Sequence, residues 1–206
     1  MTNQTNASLS NGRLVSAKVI DKINPKIEKG AMAHVNGLIV HQTGGATAAS
    51  ALANYNNGAE GAHFLIDKDG TIYQTARVTQ QCWHVGKINS KCAQLKTCTP
   101  AETKTIDALL HQRGLPYKTR LLNLHRHEMA KPYPDRYPSN EDSIGIEMVS
   151  IASPKTGYES VTTAQNDALR WLVSTLERLL PLPPSNVFRH PTVSQKQPTE
   201  ASSARW

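Results

Sequence analysis

Apolar and polar positions divide the chain into short, alternating elements. Over residues 36–42, Leu38, Ile39 and Val40 form an unbroken apolar run that ends on His41 and Gln42, the pattern of a short buried strand. Residues 47–55 are rich in alanine and predict a helix, which Asn56, Asn57 and Gly58 stop. Residues 63–74 read as a hairpin: Phe64, Leu65 and Ile66, a turn at Lys68, Asp69 and Gly70, then Ile72 and Tyr73. Residues 143–150 predict another strand, with Ile144, Ile146 and Met148 on one face and Glu147 on the other. The clearest helix covers residues 162–180. Thr162 and Gln165 form a capping box, Leu169, Leu172, Val173, Leu176, Leu179 and Leu180 make one stripe, and Pro181 ends it. Val187 and Phe188 then predict a last short strand that delivers Arg189 and His190.

Between residues 86 and 140 the pattern breaks down into Lys, Thr, Pro and Tyr, with one helical piece near 102–111. A structureless loop of that length is unusual, so residues 87–139 read as an insertion over one face. Strands interleaved with helices predict an α/β fold, a mixed central sheet flanked by helices. The whole chain, 1–206, reads as one domain with a polar amino-terminal tail over 1–12.

Composition narrows the partners. A net charge of +7 and a pI of 9.4 favour something anionic, whether nucleic acid, a membrane surface or a bacterial wall. Lysine and arginine never form a run of five and aromatics are only 5%, so no nucleic-acid partner is expected. No segment approaches the ~18 apolar residues of a membrane span, so none is expected. The first residues lack the apolar stretch of a Sec signal. The chain is therefore expected to be made in the cytoplasm and to reach any outside substrate by another route. Of the three cysteines, Cys92 and Cys98 enclose five residues and can pair in an oxidising compartment; three unpaired thiols are the alternative.

Of the eight histidines, position marks two: His41 closes an apolar strand where its side chain can face a cleft, and His190 follows another short strand. A catalytic zinc needs three His, carboxylate or Cys ligands and an open position for water.

Here the residues resemble a known family, the type 2 N-acetylmuramoyl-L-alanine amidases, which includes some phage lysozymes and the animal peptidoglycan recognition proteins. Leu38 to Thr43 resembles its first zinc-ligand strand, and Gly61 to Gln74 its hairpin. Cys82, Trp83, His84, Val85 and Gly86 are similar to its Trp-His-x-Gly signature, and Asn140, Ser143, Gly145 and Glu147 to the strand bearing its catalytic acid. Arg189 and His190 with Lys196 resemble the closing ligand and lysine. The resemblance implies a zinc groove at one edge of the sheet, with peptidoglycan as substrate and Zn2+ as cofactor. It implies His41 and His190 as ligands, Glu147 as general base and Lys196 as the oxyanion's partner. His84, His63 and Asn140 are carried over as substrate-binding candidates.

Two departures stand out. Pro198 occupies the place, two residues after the lysine, where the family usually carries an Asp or Cys ligand. Glu200, ten residues beyond His190, is nominated instead. Completion by His125, by His127 or by solvent stays open, as does Glu200 as the acid opening a short terminal helix over 200–206. The second departure is the insertion, expected to wall the groove and select among stem peptides. The expected activity is hydrolysis of the amide between N-acetylmuramic acid and L-alanine, by an endolysin, a cytoplasmic recycling enzyme or, the favoured reading, an antibacterial effector secreted into a target cell's periplasm and matched by a cognate immunity protein. The rival is a peptidoglycan-binding module of the same fold without catalysis, which the missing ligand at Pro198 favours.

Overall fold

The computed structural model describes residues 6–58 and 60–206. Among them, β1 (Ser8–Ser10) and β2 (Arg13–Val15) pair as a hairpin, followed by β3 (Val19–Asp21), β4 (Glu28–Ala31) and β5 (Gly37–Gly44). Helix α1 (Ala48–Tyr55) leads to β6 (Phe64–Ile66), β7 (Ile72–Gln74) and β8 (Gln80–Cys82). The insertion carries α2 (Lys91–Leu95), α3 (Pro100–Leu110) and α4 (Tyr117–Met129). Strands β9 (Ser143–Ser153) and β10 (Gly157–Tyr158), helix α5 (Thr163–Leu179), strand β11 (Val187–Arg189) and the short α6 (His190–Val193) complete the chain.

The main sheet runs in the order β11, β5, β9, β6, β7, β3, with β10 paired to β9. Strands β11, β5, β9 and β6 are parallel neighbours, and the β6–β7 hairpin makes the sheet mixed. Central parallel strands are covered on both faces, which is why β5 and β9 read as near-continuous apolar runs. One face, with Leu38, Val40, Phe64, Ile144, Ile146 and Met148, packs on the leucine stripe of α5. Leu169, Leu172 and Leu176 have no exposed surface, and each contributes roughly 1.5–3 kcal/mol by leaving water. The capping box expected at Thr162 and Gln165 starts α5, and Gln165 also donates to Val149 O at 2.9 Å, fixing the helix to the sheet.

Three local expectations change. Residues 8–15 form a hairpin that begins inside the tail expected over 1–12, of which residues 1–5 lie outside the described residues. Asn11 and Gly12 both take positive φ (49° and 76°), as a tight Asn-Gly hairpin turn requires. The insertion holds a helix, α4, that its apolar pattern concealed. Proline is its N-cap, no side chain caps it, and one of its two buried positions is Glu128. Residues after Glu200 form turns, with no terminal helix. Cys92 and Cys98 are joined by a disulfide and Cys82 is a buried thiol. No helix among the described residues is long and apolar enough to cross a membrane.

Candidate metal centre and groove

Strand alternation decides which side chains meet. Leu38 and Val40 point into the α5 core, so Ile39 and His41 point to the other face. In the parallel register His41 stands opposite Glu147 on β9, and Glu147 opposite Leu65 on β6, placing all three on that same face. Strand β11 pairs with β5 through Arg189 opposite Val40, so His190 emerges beside His41. All of this lies over β11, β5 and β9, the three strands nearest one edge of the sheet.

His41 Nδ1, His190 Nδ1 and Glu200 Oε1 converge into a buried triangle with edges of 2.8, 2.8 and 3.6 Å. The outer hydrogen bonds fix the tautomers. His190 Nε2 donates to Val85 O at 2.9 Å, leaving its Nδ1 with a bare lone pair. His84 Nε2 donates to Ser143 O, so its Nδ1 accepts from His41 Nε2 at 3.0 Å, which leaves His41 Nδ1 bare as well. Two lone pairs and a carboxylate facing one another are repulsive unless a cation joins them. Ligands about 2.05 Å from a tetrahedral zinc sit roughly 3.3 Å apart, close to the edges found here. The donor set, two imidazoles and one carboxylate, is that of a catalytic zinc with one position open. His41, His190 and Glu200 thus form a group able to hold a metal.

The group is held from outside, as a metal site would require. The turn carrying Glu200 is fastened by the sequence neighbours of both histidines. Gln42 Oε1 accepts from Ala201 N at 2.7 Å, and Arg189 donates through Nε to Ala201 O and through Nη2 to Ala204 O, both at 2.9 Å. Ala201 sits at φ +54°, a conformation a non-glycine residue keeps only when its surroundings impose it. Sequence reading gave neither Gln42 nor Arg189 this role. Their adjacency to His41 and His190 was the signal, but only the tertiary contact with residue 201 gives it meaning.

The triangle forms the floor of an open groove of about 430 Å³, lined also by Tyr55, Trp83, Glu147, Tyr158 and Lys196. Glu147 Oε2 is shut away from solvent and has no hydrogen-bond partner. Burial, reinforced by the nearby Glu200 charge and opposed by Lys196, pushes its carboxyl up to about 8. Burial would also raise Glu200, but hydrogen bonds and charge from His190 and His41 outweigh it and hold that carboxyl down at about 2. Two carboxyls in one groove are therefore driven to opposite protonation states, the arrangement by which acid–base sites divide their roles. Burial pulls His41 down to about 3, with His190 adding to the effect. Tyr158 is pushed up to about 12 by burial and by the two glutamates. Lys196 is exposed on the lip, and Trp83, 52% exposed, stands on the rim with Lys29 over its ring. A larger hollow of about 750 Å³, between α1 and the segment after β3, holds no histidine and no converging ligands.

The remaining candidates fall behind or beside the groove. His84 lines it and packs against Gly145, where an added Cβ would come within 2.7 Å of the ring. His63 has no exposed surface; it accepts from Gly145 N at 3.0 Å and donates to Gln80 O, supporting the sheet beneath His84. Asn140 Oδ1 accepts from His84 N and Val85 N, holding the loop that presents His84 and the carbonyl bonded to His190. His125 is occupied by Ile88 N, and His127 pairs with Glu102 in the insertion. Glu102, His127 and Glu128 also cluster, but the ammonium of Lys131 lies against both carboxylates and already supplies the cation.

The sequence model of the family described as N-acetylmuramoyl-L-alanine amidase matches residues 31–202. By sequence no curated protein matches the chain. In fold the chain is similar to a selenomethionine derivative of AmpD, at 19% identity over 96% of this chain and 94% of that one, with a TM-score of 0.62. It is similar to AMPDH3 from Pseudomonas aeruginosa, at 17% identity over 88% and 62% of the two chains, TM-score 0.54. The N-acetylmuramoyl-L-alanine amidase LysC from Clostridium intestinale URNW is 16% identical over 88% and 87%, TM-score 0.51. At these identities the likeness is one of fold.

Proposed function

The chain belongs to the N-acetylmuramoyl-L-alanine amidase family and is a peptidoglycan amidase, and from that premise we propose that it is a zinc enzyme using Glu147 as its proton carrier. The observation that carries this is the convergence of His41 Nδ1, His190 Nδ1 and Glu200 Oε1, two bare lone pairs and a carboxylate, beside the desolvated Glu147. His41, His190 and Glu200 would hold the metal, which would supply Lewis acidity toward the scissile carbonyl and make the attacking water more acidic.

The chain's own residues do the rest. Glu147 takes a proton from the attacking water and returns it to the nitrogen of the L-alanine as the bond to the lactyl carbonyl breaks. Burial raises its carboxyl toward the operating pH, where it is basic enough to take that proton and acidic enough to return it. Lys196, at the lip of the same groove, brings positive charge to the oxyanion of the tetrahedral intermediate. His84 and Trp83 form the wall against which the glycan lies, while His63 and Asn140 keep that wall in place.

The Cys92–Cys98 disulfide supports action in an oxidising compartment, such as the periplasm of a target cell. On this reading the protein is a secreted antibacterial amidase and its producer keeps a cognate immunity protein. The test is digestion of purified peptidoglycan by wild type, Glu147→Gln and Glu200→Ala, with bound zinc measured in each. Release of free stem peptides by a wild type holding about one zinc, lost in Glu147→Gln with zinc retained, supports the assignment. Full activity of Glu147→Gln, or of metal-stripped protein, overturns it.

A further inference from the structure

Positive charge is distributed unevenly in this protein. Residues 87–139, about a quarter of the chain, hold ten of the 23 lysines and arginines but four of the 16 acidic residues, a net charge of +6. The other residues, with thirteen basic against twelve acidic, are nearly neutral. The basic character read from the whole sequence is thus a property of the insertion.

Little of that charge is used inside the fold. Lys131 is held by Glu102 and Glu128, and Arg136 by Asp142. Lys87, Lys96, Lys104, Arg113, Lys118 and Arg126 are exposed and make no ion pair among the described residues. Against them the insertion exposes only Asp107 and Asp135, because Glu102 and Glu128 are taken up by Lys131 and His127.

The insertion is also fixed to the groove. Lys87 follows the loop whose Trp83 and His84 line it. Asn89 N donates to Val193 O at 2.7 Å, and Asn89 Oδ1 accepts from Gln195, the residue before Lys196. On α4, His125 Nδ1 accepts from Ile88 N. The cationic insertion is therefore rigidly attached beside the groove.

We infer that residues 87–139 form an electrostatic docking surface for the carboxylate-bearing wall polymer on either side of the scissile bond. The inference rests on the peptidoglycan reading of the groove. Stem peptides carry free carboxylates at every repeat, so a polymer meets several of these cations at once while a short fragment filling the groove meets few. The surface holds the enzyme on intact wall between cuts and leaves the chemical step unchanged.

The test uses the full chain with Lys96→Glu, Lys104→Glu, Arg113→Glu and Lys118→Glu combined, and a second variant with Gln at the same positions. Sedimentation with purified peptidoglycan sacculi on ice reads binding, and hydrolysis of a soluble muropeptide reads the site. The charge-reversed protein is expected to bind sacculi about tenfold more weakly at low salt, with the Gln variant between it and wild type. The gap should narrow at about 300 mM salt, where screening shortens the reach of exposed charge. The kcat/KM on the soluble muropeptide should stay within about twofold of wild type. Unchanged sacculus binding overturns the inference. So does a parallel loss of soluble turnover, or wild-type binding to duplex DNA tighter than to sacculi. A wild type that binds sacculi in this charge-dependent way but never cleaves the muropeptide leaves the docking surface standing and removes the catalytic reading instead.

Discussion

Glu147 offers a prediction whose sign is unusual for a carboxylate. In the metal-free protein its carboxyl is raised from 4.5 to about 8, with burial as the main cause. Between those values the folded protein holds a proton that the unfolded chain has released, so stability falls as pH rises through this window. His41, His63 and His84 act oppositely. Burial pulls each down, so the unfolded chain binds their protons more readily and stability rises with pH until about 6.5. Above pH 7 these three hold few protons in either state, so their residual gain offsets the Glu147 loss only in part. The loss from pH 7 to 8.5 is about 1 kcal/mol, approached along a slope of ~1.4 kcal/mol per pH unit on the acid side. Urea unfolding with chelator present should show the wild-type midpoint falling by about 0.5 M over that interval. Glu147→Gln, which cannot ionise, should stay flat. Parallel profiles for the two proteins above pH 7 would show that the carboxyl keeps its hydration, and the case for Glu147 as a desolvated proton carrier would fail.

Other consequences follow from the same contacts. Glu200→Ala removes one of the three proposed ligands and should weaken zinc binding at least about a hundredfold in chelator competition, with the fold intact by circular dichroism. Arg189→Leu frees the carbonyls of Ala201 and Ala204, so it should lower zinc affinity about tenfold without touching any ligand atom; an unchanged affinity would mean the Glu200 turn holds itself. Gly145→Ala sets a Cβ 2.7 Å from the His84 ring, and should cost roughly 1–3 kcal/mol in stability and at least tenfold in kcat/KM as His84 is displaced. Leu172→Ala, far from the groove at the centre of the α5 stripe, should cost about 2–5 kcal/mol in urea unfolding while leaving kcat/KM per folded molecule unchanged.

Much of the fold was legible because its signals are local. The capping box at Thr162, the leucine stripe of α5, the β6–β7 hairpin and the apolar runs of β5 and β9 are each set by residues within one element, and each forms where the pattern predicts. The hairpin at Asn11 and Gly12 was equally local, and its turn signal lay hidden in a stretch whose polarity suggested a tail. Helix α4 was not local in that sense. Its buried face includes Glu128, which is tolerable only because Lys131 folds back to neutralise it, a pairing invisible to hydrophobic periodicity.

The site divides the same way. Strand alternation and family resemblance named His41, His190, Glu147 and Lys196, since a strand's period of two fixes which face a residue takes once its core neighbours are known. The third member of the proposed metal group was ambiguous, with Pro198 in the expected place and Glu200, His125 and His127 as alternatives. Tertiary structure brings Glu200 to the two histidines of the site: Ile88 and Glu102 engage His125 and His127, while Gln42 and Arg189 hold the chain at Ala201, next to Glu200. The raised carboxyl of Glu147 and the tautomers of the histidines belong to that level too. Each depends on which groups from distant segments exclude water or share a proton. The sequence determined the elements and the donors they carry; only their packing decided which donors meet and in what state of charge.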